Sequence, residues 1–240
     1  MTAIEFRNVS KVFAHGTGTR LLSSHLGEWL GQPPKEAFYA LKNVSFSVQS
    51  GEGFGVVGHN GAGKSTLLGL ATGICGPDQG EVIMNGRIAA VLELGSGFHP
   101  DLTGTENLFL NASLLGLSRK RTKELADYIV EFAGLEDFIN EPMRTYSTGM
   151  TMRLAFAVAV HTDPDILILD EVIAVGDQTF QVKCLDHLRS LRQAGKTILC
   201  VSHSPDTIEQ FCHRAIWLAH GQVVKEGLAR EVLDAYRASL

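Results

Sequence analysis

Residues 55–66 read Gly55-Val56-Val57-Gly58-His59-Asn60-Gly61-Ala62-Gly63-Lys64-Ser65-Thr66 and run on into Leu67, Leu68 and Leu70. A short apolar run, a glycine-rich turn and a helical apolar spacing follow one another, which predicts strand, tight loop and helix. From Gly58 to Ser65 the pattern is G-x-x-x-x-G-K-[ST], in the strand-to-helix setting that its mechanism needs. Glycines let the backbone curl with its N–H groups pointing inward, and the helix N-terminus adds partial positive charge. Gly58, His59, Asn60, Gly61, Ala62, Gly63, Lys64, Ser65 and Thr66 thus read as a cradle for the phosphates of a nucleotide. Lys64 neutralises the β- and γ-phosphates of ATP and the Ser65 hydroxyl ligates Mg2+.

Downstream, Ile166-Leu167-Ile168-Leu169-Asp170-Glu171 is an apolar strand ending in two acids, which is costly unless a cation or a reaction uses them. Asp170 is placed to hold magnesium, and Glu171 is the candidate general base for the attacking water. A helix cap beside an ordinary surface acid is the competing reading of that pair. Another apolar run, Thr197 to Val201, leads to His203. Upstream, Ile4 to Val9 and Val44 to Val48 alternate apolar and polar residues, as half-buried antiparallel strands do. Together these runs predict an α/β fold with a mainly parallel core sheet, an antiparallel β edge layer and a helical subdomain at about 101–160. An insertion at about 15–37 carries Leu22, Leu26, Trp29 and Leu30 on one helical face, either a docking surface or a self-packed surface helix.

The chain has 240 residues, 45% of them hydrophobic, enough for a single domain spanning 1–240. A formal net charge of −5 argues against nucleic acid as a partner. Cys75, Cys184, Cys200 and Cys212 are widely separated and form no zinc-binding pattern, so they read as small core residues in a reducing compartment. The longest apolar run, Leu154 to Val160, is far short of the roughly 18 residues of a membrane span. With no signal-peptide pattern at the start, a cytoplasmic location is expected.

Tyr146-Ser147-Thr148-Gly149-Met150, lying between the phosphate loop and the paired acids, resembles the L-S-G-G-Q signature of the ABC ATPase family. Read alone, it is an ordinary helix N-cap. The resemblance implies a P-loop NTPase cassette that works as a head-to-tail homodimer. In it, Ser147, Thr148, Gly149 and Met150 of each copy cap the ATP held by the other. It further implies that Asp177, in Ala174-Val175-Gly176-Asp177, is the D-loop acid, although the family's usual S-A-L-D is altered. His203 matches the switch histidine that touches the γ-phosphate, and Phe13 or, alternatively, Tyr39 supplies the ring that stacks on adenine.

Most cassettes have Gln at the Q-loop, where this chain has Glu93, within Leu92-Glu93-Leu94-Gly95-Ser96-Gly97-Phe98-His99-Pro100. That run, with Tyr-Ser-Thr-Gly-Met and Ala-Val-Gly-Asp, resembles the branch exporting O-antigen, capsule or teichoic acid. The branch implies integral membrane permease subunits that make most contacts to the polysaccharide, and a peripheral position on the cytoplasmic face of the bacterial inner membrane. Some branch members continue into a C-terminal carbohydrate-binding domain, and none is expected here. Competing expectations are a cassette for lipids, drugs or peptides, a non-transport ABC ATPase, and a nucleotide-binding regulator or small-molecule kinase.

Overall fold

In the computed structural model, which describes residues 1–14, 37–91, 97–170 and 176–240, two sheets share one core. Strand β1 (Thr2–Ala14) pairs antiparallel with β2 (Ala37–Gln49) on one side and with β4 (Gln79–Met84) on the other. The second sheet has the order β5 (Ile88–Val91), β6 (Ile166–Leu169), β7 (Thr197–Ser202), β3 (Gly53–Val57), β8 (Arg214–Ala219), β9 (Gln222–Leu228). Its pairs are parallel from β5 through β8, and only β9 runs antiparallel. The expected parallel core and antiparallel layer are therefore both present. Alternation located β1 and β2, but both extend past the alternating residues, and β1 carries register shifts between Phe6 and Val9 where strict alternation lapses.

Strand β6 shows why the central runs are apolar without a break. Ile166 and Ile168 join the core between the two sheets, together with Phe6, Phe46 and Phe54. Leu167 and Leu169 join the core on the opposite face, with Phe156, Phe180 and Phe211. A strand buried on both faces has no position to give to a polar residue.

Helix α1 (Lys64–Ala71) follows β3 directly. The helical subdomain contains α2 (Gly104–Leu114), α3 (Arg119–Ala133) and α4 (Thr148–Val160). Thr103 and Glu106 form a reciprocal capping box at the start of α2, with Thr103 N–H donating to Glu106 at 2.8 Å and Glu106 N–H to Thr103 Oγ1 at 3.2 Å. Gly134, at φ 62°, closes α3. Helix α4 belongs to two cores: Leu154, Ala157 and Val158 pack inside the subdomain, and Phe156, Ala159 and Val160 against the sheet. That double burial accounts for the longest apolar run in the sequence. Beyond it lie α5 (Gln178–Gln193), α6 (Pro205–Phe211) and α7 (Ala229–Arg237). Of the four cysteines expected in the core, Cys184, Cys200 and Cys212 are buried, while Cys75 is half-buried and packs against its edge. Among the described residues no helix is long and apolar enough to cross a membrane.

At the end of α4, His161 packs against Tyr128 and Phe132 of α3, each at 4.9 Å between ring centroids, and against His187 of α5 at 4.5 Å. Its Nδ1 lies 2.6 Å from the Ala157 carbonyl oxygen, and its Nε2 has no hydrogen-bond partner among the described residues. Lys183 stands over the Phe132 ring beside them. Burial pushes His161 down to about 4 and also lowers His187. Folded His161 stays neutral down to about pH 4, whereas an unfolded histidine titrates near 6.5. The His161 contribution is thus complete above about pH 6.5 and is lost as pH falls toward 4, by up to about 3 kcal/mol, and the His187 shift acts in the same direction. We expect the unfolding midpoint in denaturant to fall across that window, and His161→Leu to flatten the slope; an equal slope in the variant would clear His161 of the effect.

Candidate nucleotide site

Parallel strands bring the site together. β3, β6 and β7 are neighbours with the same direction, in register from Leu169 opposite Cys200 to Val57 opposite Ser202. Their C-terminal ends therefore deliver Gly58, Asp170 and His203 to one edge of the sheet, where ligands of such folds bind.

The loop from Gly58 to Gly63 is shaped by close backbone contacts. A Cβ on Gly63 would lie 2.5 Å from the Ala40 carbonyl oxygen, and its φ of 105° already favours glycine. A Cβ on Gly58 would lie 2.3 Å from the Leu218 carbonyl oxygen. Lys64 is only 9% exposed, and its Nζ donates to the carbonyls of Gly58 at 2.7 Å and His59 at 3.1 Å. The lysine thus bends back across the mouth of its own loop. A phosphate oxygen offers it a charged acceptor in place of neutral ones, and charge-assisted bonds are about twice as strong.

A hollow of about 310 Å³ opens here, lined among others by Phe38, Asn60, Lys64, Ser65, Thr66 and Asp170. Ser65 and Asp170 both present oxygen donors, the ligand type magnesium takes, so the donor set fits that ion. Phe38 was missed in the sequence, and neither Phe13 nor Tyr39 lines the hollow. Phe13 is the cross-strand partner of Phe38, on the same face but one strand away. Tyr39, next along β2, faces the other way by strand alternation. The parity of β2 was the missing signal, since Ala40 also lines the hollow. A larger hollow of about 650 Å³ lies between α2 and α3, with Phe109, Leu110 and Leu117 around it and Arg119 and Lys123 at its edge. It holds no glycine-rich loop, so volume alone does not locate the chemistry.

Ser147 is the N-cap of α4, its Oγ accepting from Met150 N–H at 3.2 Å. Both Ser147 and Thr148 are exposed, and a Cβ on Gly149 would meet only Ser147 Oγ, at 3.9 Å. Tyr146, where the family pattern has leucine, donates its hydroxyl to the Phe138 carbonyl at 2.7 Å and so ties the helix start to the subdomain. None of Ser147, Thr148, Gly149 and Met150 lines the hollow beside Lys64. Asp177 caps α5, accepting from Phe180 N–H at 2.9 Å, and its other oxygen lies 3.9 Å from Arg153 of α4. His203 is exposed just beyond β7. Glu171, Glu93 and the insertion with Leu22, Leu26, Trp29 and Leu30 lie outside the described residues.

Residues 41–174 match the ABC transporter family. The O-antigen export system ATP-binding protein RfbB of Klebsiella pneumoniae is 44% identical over 239 residues, covering 95% of this chain and 97% of that one. The teichoic acids export ATP-binding protein TagH of Bacillus anthracis is 45% identical over 201 residues, 84% of this chain but 36% of its own length. Among solved structures, a dimeric ATP-binding cassette in a post-hydrolysis state bound to ADP and Pi superposes with a TM-score of 0.75 at 26% identity, covering 95% of this chain and 99% of that one. By the family match over residues 41–174 and the identity to RfbB over nearly the whole of both chains, this chain belongs to the ABC transporter family and is one of its ATP-hydrolysing cassettes.

Proposed function

We propose that the chain powers export of a cell-surface polysaccharide of O-antigen, capsule or teichoic acid type through permease subunits of the membrane. The observation that carries this reading is the 44% identity, over nearly the full length of both chains, to an O-antigen export system ATP-binding protein. The linked variants Leu92-Glu93-Leu94-Gly95, Tyr146-Ser147-Thr148-Gly149-Met150 and Ala174-Val175-Gly176-Asp177 support the same branch. The protein then sits peripherally on the cytoplasmic face, with the polymer handled mainly by the permease. The apolar hollow between α2 and α3, edged by Arg119 and Lys123, is the face we assign to that partner. Deleting the gene should remove the polymer from the cell surface and leave it accumulating inside; unchanged surface polysaccharide would redirect the reading to a lipid, drug or peptide cassette.

In this reading ATP sits between two copies. The loop of one copy binds the β- and γ-phosphates through its N–H groups and Lys64, and Phe38 stacks on the adenine. Ser65 and Asp170 would hold magnesium, which would supply positive charge against the phosphates. From the other copy, Ser147 and Gly149 bring the N-terminus of α4 to the γ-phosphate. Neither α1 nor α4 has an acid in its first turn, so each helix end is left to an outside anion. Glu171 takes the proton of the attacking water, and His203 contacts the γ-phosphate. Once that phosphate leaves, α4 of the partner loses its anion and the dimer opens.

Two variants separate chemistry from structure. Glu171→Gln is expected to keep ATP binding, lower turnover at least a hundredfold and give an ATP-dependent dimer by gel filtration; unchanged turnover removes Glu171 from the role of base. Ser147→Asp preserves the cap, since Asp and Ser serve equally well there, but sets a negative charge where the γ-phosphate arrives. Its unfolding midpoint should match that of the parent while ATPase falls more than tenfold; full activity would reduce Ser147 to a cap worth about 1 kcal/mol.

A further inference from the structure

The phosphate loop is held from behind by residues near the other end of the chain. Tyr236 of α7 is 2% exposed, and its ring lies 5.2 Å from that of His59 at a 57° tilt. The same ring lies 6.0 Å from Trp217 of β8. His59 is exposed, yet its carbonyl accepts from both Lys64 Nζ and Ala62 N–H, each at 3.1 Å. Gly221, in the turn between β8 and β9, donates its N–H to the Ala62 carbonyl at 2.9 Å. Thus the residue that helps to seat Lys64 is braced by one aromatic contact and stands within a loop fixed at a second point by the β8–β9 turn. A loop ordered before the nucleotide arrives loses less entropy on binding it.

We infer that Tyr236 is a positioning residue for nucleotide binding, acting through the His59 ring on the backbone that seats Lys64. The inference rests on the phosphate-loop assignment above and adds to it a dependence on the C-terminal helix. Loss of an aromatic pair of this kind weakens binding by about two- to tenfold.

The test uses the full chain, a fluorescent ATP analogue for Kd, and ATPase kinetics. Tyr236→Leu keeps an apolar side chain in the core and removes the ring. It should raise Kd and the KM for ATP two- to tenfold, with a smaller change in kcat, while Tyr236→Phe keeps the parent values. His59→Ala should produce the same rise, and the double variant no more than either single one. A lowered unfolding midpoint with parental Kd in Tyr236→Leu, or additive effects in the double variant, overturns the inference. Should Tyr236→Leu fail to fold, a parental Kd in His59→Ala overturns it, because that side chain is exposed. Lys64→Ala run alongside must lose nucleotide binding; if it does not, the loop assignment fails and not the bracing.

Discussion

A triphosphate carries more negative charge than any one side chain can offset, and the fold meets it with backbone. The loop after β3 can take its path only because Gly58 and Gly63 carry no Cβ: each lies too close to a carbonyl of another strand to admit one. Those carbonyls belong to Leu218 of β8 and Ala40 of β2. The cradle is therefore not a local feature of residues 58–66. It forms only when the antiparallel layer and the far side of the core sheet have both closed on it. This explains why a chain spends two sheets and three packed cores on positioning nine residues.

Much of this was legible in the sequence, for reasons that differ by residue. Gly58 to Thr66 and Asp170 could be read because their chemistry demands rare residue types at fixed spacing, after short apolar runs of the kind a strand buried on both faces produces. Phe38 could not be read, since the choice between it and Tyr39 turns on which face of β2 meets the loop, and the insertion before it hides the register. Ser147 could be read as a cap and, by resemblance, as a signature residue, and the structure shows the cap. The geometry shows why those readings do not compete: the side chain caps α4 through Met150 while remaining exposed at the helix end. The bracing by Tyr236 had no local signal at all, because the contact joins positions far apart in the chain.

In the proposed dimer, helix α4 is the element through which an event at one nucleotide would reach the rest of the molecule. It is packed on one side into the subdomain and on the other against the sheet, so it cannot shift without disturbing both cores. At its first turn stands Ser147, and one turn and a half further on Arg153 reaches Asp177 at the cap of α5. A Cβ on Gly176 would lie 3.2 Å from the Arg153 side chain, which holds that junction close.

The consequence concerns what a bound γ-phosphate can move. In a close-packed interior small displacements are transmitted and not absorbed. In the proposed dimer, an anion drawn to the N-terminus of α4 would pull on a helix whose side chains are shared between two cores and whose Arg153 lies 3.9 Å from Asp177 at the cap of α5. The subdomain that bears the hollow between α2 and α3 would then move with the helix, since Leu154, Ala157 and Val158 belong to its core. The same burial that makes Leu154 to Val160 the most apolar stretch of the chain is what makes α4 stiff enough to carry force. Packing and coupling are thus one property of this helix, and polar substitution on either buried face would weaken the two together.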